Sequence, residues 1–149
     1  MDCDGVLTDG RLYFSARGEE MKVFDVRDGQ GIVLWHKAGH RSGIVSGRGA
    51  GEIIRRRAEE LGIEFVRVDS SDKVKDCEEI AASLGLTLNE TAFIGDDIGD
   101  VGIMKRVGVA FAVADAAEQA KAVASYVTKA AGGRGAVREV VEVLLREPV

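Results

Sequence analysis

The sequence is poor in the features that mark secreted and membrane-spanning proteins. It holds only two cysteines, Cys3 and Cys77, and they form no metal-binding cluster. We therefore expect reduced thiols and a cytoplasmic location. No apolar stretch approaches the roughly 20 residues that a membrane helix requires, and the first residues have neither the basic nor the apolar region of a secretion signal. These absences predict neither membrane association nor export.

Positive charge is also scarce. The 20 basic residues are outnumbered by 25 acidic ones, which gives a formal net charge of −5. An acidic chain is a poor general binder of nucleic acid, so we expect no nucleic-acid partner. A hydrophobic content of 46% predicts a folded chain rather than a disordered one. Its 149 residues correspond to one ordinary domain, which we predict to span residues 1–149.

Strand-like and helical segments alternate along the chain. The segments Arg11–Phe14 and Met21–Val26 flank a turn that we place at Gly18, and they predict a β-hairpin over about residues 11–26. Asp28 is the expected N-cap of the helix that follows. Beyond it, short apolar runs alternate with helices, which predicts an α/β fold with a doubly wound parallel sheet.

Reactive polar residues follow four of the predicted strands. In open parallel sheets, ligands bind beyond the carboxyl ends of the strands, so we expect these residues to meet at one edge. They are Asp2 and Asp4 after the first strand, Ser46 after the second, Lys73 beyond the third, and Asp96 and Asp97 after the fourth.

These residue types together favour phosphoryl transfer. Crowded carboxylates repel one another unless a cation neutralises them, and oxygen-only ligands suit Mg²⁺. A carboxylate such as Asp2 can attack phosphorus, and a second acid two residues later, Asp4, can protonate the leaving oxygen and then activate water. The Ser46 hydroxyl and the Lys73 ammonium can bind phosphate oxygens. Each motif alone is often a plain turn or a solvated position; their joint occurrence favours the catalytic interpretation.

These motifs resemble the haloacid dehalogenase superfamily of phosphohydrolases. The matching segments are Asp2–Gly10, Val45–Arg48, Lys73 and Ile94–Asp100. The resemblance implies a haloacid dehalogenase-like Rossmannoid core and an aspartyl-phosphate mechanism. It implies that Asp2 is the nucleophile and Asp4 the general acid/base, and that Ser46 and Lys73 bind the phosphoryl group. It also implies that Mg²⁺ is held by the Asp2 carboxylate, the Asp4 main-chain carbonyl and Asp96, with Asp97 and Asp100 as supporting acids.

The motif spacing leaves no room for an inserted cap domain. Only 41 residues separate Asp4 from Ser46, and only 26 separate Ser46 from Lys73. The hairpin, two helices and one strand account for both intervals. A site without a cap would be open to water, so we expect a neighbouring subunit to complete it.

Further segments resemble the capless 3-deoxy-D-manno-octulosonate 8-phosphate phosphatases, over essentially the whole chain. They are Val26–Gly29, Ser46–Arg48 and Gly132–Glu139. The resemblance implies a homotetramer, with the hairpin of one subunit near the site of the next, that hydrolyses a sugar-acid phosphate on the route to lipopolysaccharide. The expected substrate-binding residues are Asp25, Val26, Arg27, Asp28, Gly29, Gly47, Arg48, Arg57 and Lys73.

Several alternatives stay open at this point. Arg27 and Arg48 lie just beyond predicted strand ends, where a guanidinium can bind a substrate carboxylate. Arg134 and Arg138 belong either to a tail folded over a site or to a plain helix entry.

Two alternative functions also stay open. The substrate could instead be 2-keto-3-deoxynononate 9-phosphate, or the chain could be a non-catalytic oligomerisation module. Only Met1 precedes Asp2, where relatives have an apolar run. We expect that upstream residues are omitted; the alternative is a weakened or inactive member.

Overall fold

The computed structural model describes residues 1–146, with Glu20 described only in its backbone, so the last three residues of the predicted domain lie outside the described range. A β-hairpin is present, as predicted. It pairs β1 (Tyr13–Ser15) with β2 (Gly18–Met21) in antiparallel register. The paired part is shorter than predicted, and the turn lies at residues 16–17 rather than at Gly18.

Helices and strands then alternate to the end of the described range. They are α1 (Val26–Lys37), β3 (Gly43–Val45), α2 (Gly51–Leu61), β4 (Phe65–Arg67), α3 (Lys73–Ser83), a 3₁₀ turn (Leu88–Glu90), β5 (Ala92–Gly95), α4 (Ile98–Met104), β6 (Val109–Ala112), α5 (Glu118–Lys121), β7 (Tyr126–Val127) and α6 (Ala136–Arg146). Among residues 1–146, none of these helices is both long enough and apolar enough to cross a bilayer.

The first two residues join two parallel strand groups. One group pairs β3 with β4, and the other has the order β5-β6-β7. The Val45 N–H donates to the Met1 carbonyl at 3.0 Å, and the Asp2 N–H donates to the Ile94 carbonyl at 3.0 Å. Residues 1–2 therefore lie between β3 and β5. The resulting order, β4-β3-(1–2)-β5-β6-β7, confirms the predicted doubly wound arrangement.

Two helix groups surround this sheet. Helix α1 packs against α6 and α2, whereas α4 packs against α3 and α5. Because chain direction along the sheet reverses at residues 1–2, right-handed crossovers place the two groups on opposite faces. The largest fully buried side chains include Phe111, Leu7, Ile32 and Ile103. This packing leaves the carboxyl edge of the sheet, where residues 2, 46 and 96 lie, as the place for a ligand.

The start of α1 differs from the prediction. Its N-cap is Asp25, not Asp28, and the Asp25 carboxylate accepts from the Arg27 N–H at 2.7 Å. Asp28 lies in the first turn and is buried, with 1% exposure. Its two carboxylate oxygens accept from the N–H groups of Gly135 and Arg138 at 3.1 and 3.0 Å. Asp28 therefore ties α1 to the start of α6.

Replacing Asp28 by alanine tests this structural role. The change leaves two backbone N–H groups at the start of α6 without their acceptor. We expect Asp28→Ala to lower the free energy of unfolding by about 1–3 kcal/mol, measured by urea denaturation. The exposed Glu79→Ala is the control and should change stability by less than about 0.5 kcal/mol. Unchanged stability of Asp28→Ala, together with weakened substrate binding, would assign Asp28 to the ligand instead.

Candidate active site

Asp2 lies between the two halves of the sheet, at its carboxyl edge. Its Oδ1 accepts from the Cys3 N–H at 2.7 Å, and its Oδ2 lies 3.0 Å from the Lys73 Nζ. Burial, and next the negative charge of Asp100, raise the pKa of Asp2, against the opposing effect of Lys73. One oxygen of this carboxylate is thus held by a backbone N–H and the other by a cation, which orients the carboxylate at the sheet edge.

Lys73 links Asp2 to a second buried acid. It is the first residue of α3, and its Nζ lies 2.7 Å from Asp100 Oδ1. Burial opposes the charged form of Lys73, but the charges of Asp2 and Asp100 outweigh it and raise the Lys73 pKa. The lysine is therefore a permanent cation in the site.

Asp97 and Asp100 build the loop that carries Asp96. Asp97 is the N-cap of α4 and its carboxylate accepts from the Ile98 N–H at 2.7 Å, in a reciprocal capping box with Asp100. Asp100 Oδ2 accepts from the Asp96 N–H at 3.0 Å. Both acids therefore hold the backbone of the strand end in place.

Three carboxylates form a pocket of oxygen ligands. Asp2, Asp96 and Asp100 each offer an oxygen within 4.8 Å of the others. Asp96 Oδ1 is buried and finds no hydrogen-bond partner within the described part of the chain. Burial, followed by the charges of Asp2 and Asp100, raises the pKa of Asp96 to about 8. A buried carboxylate oxygen without a partner, among other acids, fits a hard divalent cation such as Mg²⁺.

Gly5 allows the loop after Asp4 to pass beside this pocket. Its φ is +85°, and a β-carbon there would lie 2.0 Å from Asp96 Oδ2. Any side chain at this position would therefore displace Asp96.

Metal binding should depend on pH through Asp96. Below about pH 8 the metal-free site holds a proton that a cation must displace, so the apparent Mg²⁺ affinity should rise as the pH increases from 6 to 8. The folded state binds this proton more tightly than the unfolded chain does. The metal-free protein should therefore lose stability over the same rise in pH.

Isothermal titration calorimetry in two buffers of different ionisation enthalpy measures the proton release. Asp96→Asn should bind Mg²⁺ weakly and with little pH dependence. An affinity that is constant from pH 6 to 8, without proton release, would contradict this account of the site.

Asp4 faces a different set of partners. Its Oδ1 lies 2.6 Å from Lys22 Nζ, and its Oδ2 lies 3.8 Å from Arg48 Nε. Ser46 is buried at the end of β3, and its Oγ accepts from the Arg48 N–H at 3.3 Å. The Ser46–Gly47–Arg48 turn thus brings a guanidinium to the side of the site where Asp4 lies.

The other predicted substrate-binding residues have contacts of their own. Arg27 is exposed and pairs with Asp25 at 2.6 Å, and Val26 is 80% exposed. Arg57 lies over the Phe24 ring at 5.4 Å and pairs with Glu60 at 2.9 Å. A β-carbon on Gly29 would lie 2.7 Å from the Arg57 guanidinium. These contacts form a second region, beside the start of α1, that does not share partners with the Asp2–Lys73 cluster in the described chain.

The glycine-rich tail packs on the loop that carries the acids. The Gly133 N–H donates to the Val6 carbonyl at 2.8 Å, and a β-carbon on Gly132 would lie 1.7 Å from the Gly5 carbonyl oxygen. Arg134 lies 3.8 Å from Asp9 Oδ2, and α6 begins directly afterwards. The tail therefore lies against the site loop and leads into α6, and a substrate-binding role for Arg134 or Arg138 stays a prediction.

Sequence reasoning missed two charged residues of the hairpin, Glu19 and Lys22. Lys22 is buried and lies 2.8 Å from Glu19 Oε1 as well as 2.6 Å from Asp4. The one available signal was a lysine inside an apolar stretch, between Met21 and Val23.

The comparisons with known proteins agree with this geometry. The sequence model described as haloacid dehalogenase-like hydrolase matches residues 57–140. A parallel α/β sheet with acids at its carboxyl edge, in a chain that matches this model, defines the class: a haloacid dehalogenase-like hydrolase.

Closer relatives define the family within that class. The 3-deoxy-D-manno-octulosonate 8-phosphate phosphatase KdsC of Haemophilus influenzae is 40% identical over 145 residues, covering 97% of this chain and 80% of the relative. KdsC of Yersinia pestis is 42% identical, covering 97% and 76%. The phosphatase of Moraxella catarrhalis, solved with magnesium, phosphate and 3-deoxy-D-manno-octulosonate (KDO), superposes with a TM-score of 0.93 at 37% identity, covering 97% and 83%. The chain belongs to the family of 3-deoxy-D-manno-octulosonate 8-phosphate phosphatases.

Proposed function

We propose that this chain is a Mg²⁺-dependent phosphatase that hydrolyses 3-deoxy-D-manno-octulosonate 8-phosphate. The observation that carries the proposal is the Asp2–Lys73–Asp100–Asp96 cluster at the carboxyl edge of the sheet. Relatives about 40% identical over nearly the whole chain are phosphatases of this compound, which supports the same substrate here. We propose that the described chain works as one phosphatase domain. We also propose the cytoplasmic location that the sequence predicts, which the free thiols of Cys3 and Cys77 support.

The first step would transfer the phosphoryl group to Asp2. A carboxylate oxygen of Asp2 attacks phosphorus, and the bond from phosphorus to the sugar oxygen breaks. Asp4 gives its proton to that departing oxygen, which leaves as the sugar hydroxyl. Lys73, 3.0 Å from Asp2, and Ser46 at the adjacent strand end would bind the phosphoryl oxygens as charge spreads onto them.

The second step would release phosphate. Asp4, now ionised, takes a proton from a water molecule whose oxygen attacks the phosphorus of the aspartyl-phosphate. The bond between phosphorus and the Asp2 oxygen breaks, inorganic phosphate leaves, and Asp4 is protonated again. Both acids therefore return to their starting states.

The residues also fit the metal. Mg²⁺ would be held by the carboxylates of Asp2 and Asp96 and by the Asp4 main-chain carbonyl, with Asp97 and Asp100 as supporting acids. When bound, it supplies positive charge next to the phosphoryl oxygens. The buried Asp96 oxygen without a partner supports this assignment.

Arg48 is the best-placed group for the substrate carboxylate. It lies beside Asp4 yet is 44% exposed, and its two contacts with acids, at 3.8 and 3.5 Å, are long for ion pairs. A bidentate contact with a carboxylate ligand would be shorter and stronger. Gly47 would leave room for that ligand. We propose that Asp25, Val26, Arg27, Gly29 and Arg57 contribute from the second region, through a neighbouring subunit.

The activity test uses purified protein and a panel of sugar-acid phosphates. We expect phosphate release from 3-deoxy-D-manno-octulosonate 8-phosphate, loss of at least about 100-fold on chelation, and a similar or larger loss in Asp2→Asn. Lys105→Met, an exposed lysine outside the site, is the control and should keep wild-type kcat. A higher kcat/KM for 2-keto-3-deoxynononate 9-phosphate would show that this compound is the preferred substrate. The absence of metal-dependent turnover of any compound in the panel would overturn the proposed function and favour a non-catalytic oligomerisation module.

We also propose a homotetramer built through the hairpin. Its apolar side chains are exposed in one chain, which a two-stranded ribbon does not tolerate well in water. They are Leu12, Tyr13, Phe14, Met21 and Val23, at 39–64% exposure. Burial of this surface against other copies would cover it and bring a second subunit close to the open site.

Charge placed on the hairpin should break the assembly. Phe14→Glu combined with Met21→Glu should shift the sedimentation velocity peak from tetramer to smaller species and reduce kcat/KM, because the neighbour no longer completes the site. Leu86→Glu, on the loop after α3, is the matched control. A wild-type monomer with full activity would rule out this assembly.

A further inference from the structure

Lys22 is a buried cation with no part in the mechanism above. Its side chain has no exposed surface, although its chain neighbours Met21 and Val23 are about half exposed. Residues on an extended segment alternate in direction, so this segment sends its apolar side chains outward and its lysine inward. Burying an ammonium group is costly unless it is paired, so the buried end of Lys22 requires acidic partners.

The partners of the Lys22 ammonium are the carboxylates of Asp4 and Glu19. Lys22 Nζ lies 2.6 Å from Asp4 Oδ1 and 2.8 Å from Glu19 Oε1, and the Glu19 side chain is only 6% exposed. Glu19 therefore holds the lysine, and the lysine holds Asp4. The short contact with a lysine that is itself held by Glu19 restricts the rotation of the Asp4 carboxylate, whose side chain is only 13% exposed.

The two Asp4 oxygens are left in different states. Oδ1 accepts from the Lys22 ammonium, whereas Oδ2 is buried and has no hydrogen-bond partner within residues 1–146. An oxygen that already accepts from an ammonium is a poor carrier of a proton. Oδ2 is therefore the oxygen that can exchange a proton with the leaving group and with water.

Arg48 cannot do the same work as Lys22. It approaches both Asp4 and Glu19, but at 3.8 and 3.5 Å, and it is 44% exposed. If Arg48 turns to a substrate carboxylate, it leaves both acids. Lys22 would then be the cation that stays in contact with both acids and still fixes Asp4.

We propose that Lys22, held by Glu19, is the positioning residue that keeps Asp4 oriented with Oδ2 towards the reacting groups. This inference rests on the proposed function, because it assumes that Asp4 is the acid and base of the phosphatase reaction. It gives the hairpin a role within its own subunit, besides any contact with other copies.

The test compares two leaving groups. A sugar hydroxyl is a poor leaving group and needs the proton from Asp4, whereas the nitrophenolate of p-nitrophenyl phosphate leaves without it. Because kcat/KM covers the steps up to aspartyl-phosphate formation, it isolates the step in which the acid acts. We expect Lys22→Met to lower kcat/KM roughly 100-fold for the sugar-acid phosphate and less than about 10-fold for the aryl phosphate.

Two further variants keep the test informative if Lys22→Met folds poorly. Lys22→Arg retains a cation and should recover part of the loss on the sugar-acid phosphate. Glu19→Gln frees the lysine on one side and should show the same bias between substrates, to a smaller degree. Lys75→Met, an exposed lysine on α3, is the control and should leave both values unchanged.

The outcomes separate the two proposals. No turnover of either compound by the wild-type protein overturns the proposed function, and the role of Lys22 falls with it. Wild-type turnover with equal losses on the two substrates in Lys22→Met or in Glu19→Gln overturns the positioning role alone, because a merely structural lysine would affect both leaving groups alike.

Discussion

Repulsion between carboxylates is the constraint on which this structure depends. Asp2, Asp96 and Asp100 place oxygens within 4.8 Å of one another in a mostly buried position. Lys73 offsets part of this repulsion through its contacts with Asp2 and Asp100, and backbone N–H groups bind further oxygens. Burial, and next the charges of Asp2 and Asp100, raise the pKa of Asp96, and its Oδ1 has no hydrogen-bond partner within residues 1–146. The same repulsion that destabilises a cluster of carboxylates favours the binding of a cation there.

A second group of charges lies on the other side of the site and is organised differently. There, two acids, Asp4 and Glu19, share two cations of unequal freedom. Lys22 is enclosed and makes short contacts, whereas Arg48 is partly exposed and makes long ones. A fixed cation is suited to orient a catalytic group, and a loosely held one is suited to bind a ligand. The hairpin region supplies Glu19 and Lys22, so a segment with several exposed apolar side chains also contacts Asp4.

Close backbone packing holds the site loop in position. Gly5 leaves space for Asp96, and Gly132 lies so near the Gly5 carbonyl that no side chain would fit at either position. The tail that contains Gly132 then enters α6, whose first N–H groups are bound by Asp28 from α1. The site loop, the tail and two helices are thereby connected through backbone contacts and the Asp28 carboxylate, which lets the fold set the position of Asp2 and Asp4.

The sequence by itself determined the class of fold and the main acidic residues, because strand ends and motif spacing are local properties. Asp2, Lys73 and Asp96 could be placed at one edge from their order along the chain. The N-cap of α1 was predicted at Asp28 and is Asp25, since Asp28 is bound by residues more than 100 positions away. Lys22 was missed for the same reason: its partner Asp4 is 18 positions distant, and only tertiary structure decides which face of a hairpin turns inward. Local pattern thus decided which chemistry the chain can carry, and long-range packing decided which side chains hold it in place.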